Sequence, residues 1–406
     1  MRTVYGPVTR RRFLKGMLAA GTAPYVISAS ALGAAGRPAP SNRITMGCIG
    51  MGGQGTGDMR GYLGFDEVQV VAVCDVVKSH CDNAKGIVDQ KYKDQGCAAC
   101  RDFREIINRP DIDTVLIATP DHWHAIISIE AMRHGKDVYC EKPETLTIRE
   151  GRAMVQTARR YGRVFSGGSQ RVWDDYNQLH RWTRSGAIGD IQEAWVDVGG
   201  PSENCYLPEE PVPDGLDWDL WLGPAPYAPF NRGRLNFRAW KDYSGGGMTD
   251  WGAHGFGGAL FACNLHETGP ALVIPPNASE NALLTYVFPN GIRIYHGRGK
   301  SGNIIHIKGS KKEVPGPTPE RPPEIFIPNY NGRGGIFGDF LHCVRTRQRP
   351  FRDIEIAHRT VTVCHLGNIA YWLKRPLKWD PVKEEIIGDP EANRCLDRPK
   401  RAPWRL

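Results

Sequence analysis

From Ile44 onward, short apolar runs alternate with stretches of helical spacing. Residues 44–49, 68–74, 114–118 and 137–140 are runs of strand length dominated by Ile, Val, Leu, Met and Cys, each stopping at a glycine-rich or polar segment. Strands alternating with helices predict a parallel, doubly wound sheet. In such sheets ligands bind beyond the carboxyl ends of the strands, so the four segments after these runs are expected to converge on one crevice. Thr147 and Glu150 have capping-box spacing, which predicts a helix from there to about Arg160. Residues 164–167 then form the last strand of a domain set at 41–167.

After Gln170 the pattern changes. Strand-like runs at 193–198, 282–288, 292–295 and 304–307 are separated by long segments rich in Pro, Gly and Trp, and 354–373 has helical spacing. This predicts an α+β domain, 168–375, built on a large antiparallel sheet. Residues 376–406 are expected to be an extended tail closing on Pro403-Trp404-Arg405-Leu406. The chain has neither an internal repeat nor a low-complexity tract.

Composition fits two soluble domains: 406 residues, 41% hydrophobic and 24% charged. The net charge of +8 belongs largely to the N-terminus, because residues 1–36 hold Arg2, Arg10, Arg11, Arg12 and Lys15 and no acid. Of the 52 basic residues, 47 then remain against 44 acidic ones, which argues against nucleic acid as a partner. Thr9-Arg10-Arg11-Arg12-Phe13-Leu14-Lys15, followed by a mildly apolar stretch, matches a twin-arginine export signal. Pro24 and many small residues make that stretch a poor spanning helix, so export to the periplasm without stable membrane insertion is expected.

Of the eleven cysteines, Cys48, Cys74 and Cys140 sit in or at the ends of expected buried strands, where cysteine acts as a small hydrophobe. Cys97-Ala98-Ala99-Cys100 is the only C-x-x-C. Without a second pair or a histidine cluster at ligand spacing, a local disulfide or two free thiols are expected rather than a metal.

Gly50-Met51-Gly52-Gly53-Gln54-Gly55 follows an apolar strand and precedes a helical stretch, with Asp75 twenty-five residues beyond Gly50. That context reads as a dinucleotide fingerprint. Gly50 permits the turn, Gly52 admits the pyrophosphate and Gly55 lets strand and helix pack closely. Asp75 is placed to accept from the ribose hydroxyls and to repel a 2′-phosphate, favouring NAD; Lys78 keeps NADP open. Oxidising an alcohol also needs a base and positive charge near the developing alkoxide. Lys142, after the fourth strand, can supply the charge; His254 is the natural base. Asp250 lies four residues before His254, where a helix puts both on one face.

The glycine loop, Cys140-Glu141-Lys142-Pro143 and Asp250-Trp251-Gly252-Ala253-His254 together resemble the Gfo/Idh/MocA oxidoreductases. Residues 118–124, 168–171, 217–226 and 365–368 extend the resemblance. It implies a catalytic set of Lys142, Asp250 and His254 and further cofactor contacts at Gly53, Gln54, Thr119, Pro120, Asp121, His124, Glu141 and Gln170. It also implies that Arg171 enters the substrate pocket and that the protein is a dimer or tetramer pairing through its second sheet. Many relatives carry an acid three residues after the catalytic histidine, where this chain has Gly257. Exported relatives often carry a His-rich turn where it has Gly334-Gly335-Ile336-Phe337-Gly338-Asp339. Both departures are expected to strip polar side chains from the pocket.

Aromatic residues crowd 206–251. A sugar platform that includes Trp240, with Arg238 or Lys241 on the hydroxyls, is one expectation, and loop packing is the other. The expected activity is hydride transfer between a sugar hydroxyl and a tightly held NAD(H). The alternatives are a redox-neutral, NAD-dependent glycoside cleavage or isomerisation and a non-catalytic sugar-binding scaffold.

Overall fold

A computed structural model describes residues 42–276, 282–315 and 321–406. The expected export signal lies outside them. The first domain is a six-stranded, wholly parallel sheet built from β1 (Ile44–Ile49), β2 (Val68–Cys74), β3 (Ala98–Cys100), β4 (Thr114–Ile117), β5 (Asp137–Cys140) and β6 (Phe165–Gly167). Their order is β3-β2-β1-β4-β5-β6. Strands β4 and β5 are buried along their whole length, as parallel strands covered by helices on both faces must be.

Helices α1 (Gly53–Tyr62), α2 (Lys78–Tyr92), α3 (Phe103–Ile107), α4 (Asp121–Arg133) and α5 (Ile148–Tyr161) fill the crossovers. Helix α5 starts with the expected capping box and ends at Gly162, whose φ of 60° suits glycine.

Beyond α6 (Arg171–Asp174) and α7 (Asn177–Arg184), the second sheet begins with β7 (Ile191–Val196). Helices α8 (Trp218–Leu222), α9 (Gly247–Asp250) and α10 (Gly252–Ala262) precede β8 (Leu272–Ile274), β9 (Leu284–Val287), β10 (Arg293–His296), β11 (Ile305–Gly309) and β12 (Glu313–Val314). Then come α11 (Gly335–Thr346), α12 (Ile354–Leu373), β13 (Leu377–Asp380), β14 (Glu385–Ile386) and α13 (Pro390–Arg394). The eight strands run β12-β11-β7-β10-β9-β8-β13-β14 and are mostly antiparallel; β7 and β10 pair in parallel.

Helix α12 packs on both α5 and α10, so it is apolar nearly all round. The segment expected to be an extended tail instead carries β13, which joins the second sheet at β8, and the small helix α13. Only its end is irregular, and there Trp404 packs against Phe103 and Trp123 of the first domain.

All eleven cysteines are unbridged. Cys97 and Cys100 flank and end β3, and extended residues three apart point to opposite faces, so the C-x-x-C closes no local disulfide. Among the described residues no helix is long and apolar enough to cross a membrane, and no group of three or more His, Cys, Asp or Glu is arranged to hold a metal ion.

Candidate active site

The strand ends converge on a cavity of about 430 Å³. Gly50, Gly52, Gly53, Gln54, Asp75, Thr119, Pro120, Asp121, His124, Glu141, Lys142 and Arg238 all line it. Gly50 has a φ of 84°, and a Cβ there would lie 2.6 Å from the Thr119 amide nitrogen. A Cβ at Gly55 would lie 1.9 Å from the Gly50 carbonyl oxygen, which is how α1 packs so close to β1 without Gly55 lining the cavity. Around Gly52 and Gly53 nothing lies within 4 Å of such a Cβ. The first turn of α1 thus opens onto the cavity with its amides available to an anion.

Asp75 accepts hydrogen bonds from the Met51 and Val77 amides, both at 2.7 Å. It clamps the glycine loop and keeps lone pairs for a ribose. His80, whose Nδ1 is 3.5 Å from Asp75, has its pKa raised by that carboxylate. Lys78 pairs with Asp82 at 2.5 Å and does not line the cavity, whereas His80 and Arg101 do.

His124 contacts the Thr119 and Pro143 carbonyl oxygens, each at 2.8 Å, and burial pushes it down to about 4. It joins the loop after β4 to the loop after β5. Asp121 accepts from the Ser244 hydroxyl at 2.6 Å, and burial raises its carboxyl to about 7.

At the other end, Lys142 Nζ donates to Asp250 Oδ1 at 2.6 Å, and Arg238 Nε lies 3.1 Å from the same oxygen. Burial alone would raise the Asp250 carboxyl, but the Lys142 and Arg238 cations outweigh it and hold it below its usual range. His254 is 3% exposed; burial first, then the Lys142 and Arg171 charges, push it down to about 3. Trp251 joins α9 to α10 with a right-handed helical backbone, and the Asp250 carboxylate pairs with Lys142 and Arg238 and not with His254.

The role of orienting His254 falls to Ser169, which lies in the 168–171 stretch of the resemblance but is assigned no role there. Its Oγ lies 2.9 Å from His254 Nδ1 and 3.1 Å from the Ala253 carbonyl oxygen. A carbonyl only accepts, so the hydroxyl hydrogen goes there and Nδ1–H donates to Oγ. Nε2 is left with a free lone pair.

Other expected contacts fall elsewhere. Gln170 does not line the cavity; its carbonyl accepts from Tyr330, and its buried Oε1 has no partner. Trp240 donates its indole N–H to the Gly233 carbonyl at 2.8 Å and packs on the Trp218–Trp221 cluster, so it is loop core and not a platform. Arg171 pairs with Asp175 and stacks 5.0 Å from the ring of Trp251. Lys241 lies 3.9 Å above the ring of Trp372, away from the cavity lining. Trp251 itself is 41% exposed and edge-on to His254 with centroids 5.9 Å apart. Its sequence signals are its place inside the Asp-x-x-x-His motif and at the end of the aromatic crowding over 206–251.

The two departures strip nothing from the pocket. A Cβ at Gly257 would meet Val172 at 2.9 Å, so the glycine lets α10 pack against α6. Gly338 is tight against the Arg333 carbonyl, and Asp339 accepts from the Asn331 and Phe351 amides at 2.8 and 2.7 Å; that turn is scaffold.

Residues 44–169 match the family model for the oxidoreductase family's NAD-binding Rossmann fold, and residues 195–406 match that for the same family's C-terminal alpha/beta domain. The chain belongs to the Gfo/Idh/MocA oxidoreductase family. Within it, an alpha-N-acetylgalactosaminidase of Shewanella oneidensis is 34% identical over 171 residues, covering 38% of this chain and 37% of that protein. The chain thus spans little more than a third of the length of the curated relatives it matches.

Two solved structures align over 83% of this chain and 99% of their own. Myo-inositol 2-dehydrogenase from Lactobacillus plantarum has a TM-score of 0.59 at 16% identity. Aldose-aldose oxidoreductase from Caulobacter crescentus, complexed with glycerol, has 0.57 at 18%. At those identities they share the fold. As a Gfo/Idh/MocA protein this chain has an NAD-binding first domain, and the open glycine turn, the α1 amides and Asp75 are the groups that fit a dinucleotide.

Proposed function

We propose that this protein oxidises a secondary hydroxyl of a sugar or sugar derivative, using a nicotinamide held between the glycine loop and Lys142. The observation that carries this reading is the Lys142–Asp250 ion pair at the mouth of the dinucleotide cavity. A bound nicotinamide supplies the hydride acceptor. Lys142 places positive charge where the alkoxide develops, Asp250, itself paired with Arg238, holds that ammonium in place, and His254 Nε2, neutral at physiological pH, accepts the hydroxyl proton.

The motif at residues 9–15, which matches a twin-arginine signal, supports periplasmic action with a cofactor loaded before transport. Free NAD is scarce there, so the cofactor is reset in place by a second substrate, and a neighbour whose name couples two aldoses supports that cycle. The half-buried Trp195–Tyr295 stack on the second sheet, 5.2 Å between centroids, supports pairing of two copies through that face; light scattering that finds a monomer rejects it.

The test is absorbance. Protein purified from the envelope carries nicotinamide, and the reduced band grows when a sugar panel is added. Failure of every sugar to change it, with cofactor bound, rejects the reading. The Shewanella relative favours a second reading, glycoside cleavage through transient oxidation. Release of nitrophenol from a nitrophenyl N-acetylgalactosaminide, with no net reduction of nicotinamide, selects it over the first.

A further inference from the structure

A second cavity, of about 420 Å³, lies where the end of α10, the segment 325–328 and the start of α12 meet, and shares no lining residue with the cofactor cavity. Arg184, His266 and Arg352 line it, and among the described residues no carboxylate does. Arg352 is 1% exposed, yet its Nε has no hydrogen-bond partner; its Nη2 reaches only Thr360, at 3.4 Å. His266 Nδ1 is likewise buried and unpartnered.

Arg184 donates to the Asn264 side chain at 3.2 Å and the Phe261 carbonyl at 2.8 Å, both neutral acceptors. Neither arginine has a carboxylate at ion-pair distance among the described residues. The acid whose charge acts on Arg352 is Glu144, whose two oxygens also lack partners, and on His266 it is Glu267.

A guanidinium without a paired anion is costly to bury, and Arg352 is one; Arg184 is exposed. Burial holds Arg184, His266 and Arg352 all below their usual pKa values, and His266 is lowered further by both arginines. The cavity is short of negative charge. Apart from Asn264 its remaining walls are apolar: Phe261, Ile327, Phe351 and Ile356 surround the basic groups, and the Arg184 guanidinium stacks 4.7 Å from the Phe261 ring.

We propose that this cavity is a second ligand site that takes a small organic anion, a carboxylate carried on an apolar ring or chain. The carboxylate lies against the guanidinium forks, where bidentate hydrogen bonds are available. The apolar body packs on the phenylalanine and isoleucine side chains.

The test uses 4-fluorobenzoate, followed by fluorine NMR line broadening and by the rise in Tm at constant ionic strength, with inorganic phosphate as the second probe. The full-length protein is expected to bind fluorobenzoate saturably and more tightly than phosphate. Arg184→Gln is expected to weaken binding by tenfold or more. Phe326→Glu alters a side chain 89% exposed at the rim, so it leaves the fold intact while setting a repelling charge at the entrance, and it too is expected to weaken binding. No saturable binding, tighter binding of phosphate than of fluorobenzoate, or unchanged affinity in both variants overturns the proposal. Sugar oxidation at Lys142 is read separately, by nicotinamide absorbance, so either result stands without the other.

Discussion

Lys142 Nζ and Asp250 Oδ1 stand 2.6 Å apart across 108 residues of sequence, tying the loop after β5 to the short helix α9 at the cofactor cavity. The pair is only 14% exposed on each side, so the ammonium is held by geometry and not by solvent. Lys142→Ala and His254→Ala are each expected to cut turnover by about a hundredfold or more while leaving NADH affinity within a few-fold, because both groups act on the developing alkoxide. Single-turnover absorbance with the responding sugar, beside fluorescence titration of NADH, checks both halves. Normal turnover in either variant removes that residue from the chemistry.

Ser169 fixes the His254 ring by receiving Nδ1–H while donating to the Ala253 carbonyl. Ser169→Ala removes that receiver and frees the imidazole to adopt the other tautomer. Turnover is expected to fall by about tenfold with KM for the sugar little changed, since substrate contacts stay in place. A raised KM with unaltered turnover would instead place the serine in substrate binding.

Much of the first domain is legible in the sequence alone. Strands β1, β2, β4 and β5 are apolar because helices cover both sheet faces, and a continuous apolar run of strand length between polar segments is what that burial requires. The glycine loop is legible because its residues answer to backbone geometry, as Gly50 and Gly55 demonstrate. Strands β12, β13 and β14, of two to four residues, carry too little pattern to read. Ser169 is a small polar residue whose value comes from a contact 85 residues away. Trp240 and Trp251 look alike in sequence; only the packing shows that one is tied into a loop core and the other is exposed beside His254. Gly257 is misread for the same reason, because helix spacing from His254 does not reveal that Val172 fills that side.

Two cavity groups titrate near neutrality: Asp121, with a carboxyl raised to about 7, and His80, raised from the ordinary imidazole range by Asp75; His254 stays neutral down to about 3. Below pH 7 Asp121 is uncharged; above it, its negative charge attracts the positive ring of NAD⁺. NAD⁺ affinity is therefore expected to rise as pH increases through about 7, and the rise is expected to be smaller in Asp121→Asn, where only His80 still titrates. Titrations of NAD⁺ between pH 5.5 and 8.5 check this. A pH step that persists unchanged in the Asn variant assigns the ionisation elsewhere.

Asp75 serves the loop and the ribose at once. Wild-type protein is expected to bind NADH at least about tenfold more tightly than NADPH, because a carboxylate repels the 2′-phosphate. Asp75→Ala releases the Met51 and Val77 amides, so NADH affinity should fall and the gap between the two cofactors should narrow. Fluorescence titration of both cofactors decides it. Equal binding by the wild type would mean that His80 and Arg101, which line the same cavity, govern the choice.

Trp251 is a large apolar ring left 41% exposed immediately beside the base, with Arg171 stacked 5.0 Å from it. Leaving that much of the ring exposed forgoes burial worth about 1 kcal/mol, and a sugar's C–H face covers it well. Its edge-on contact with His254 would set a stacked sugar's hydroxyl near Nε2. Trp251→Ala is therefore expected to raise KM for the responding sugar by about tenfold while turnover at saturation stays within a few-fold of wild type. Trp251→Phe, which keeps a ring, should recover most of the affinity. Steady-state kinetics of the three proteins separate the cases, and an alanine variant with unchanged KM would return Trp251 to the role of an ordinary surface residue.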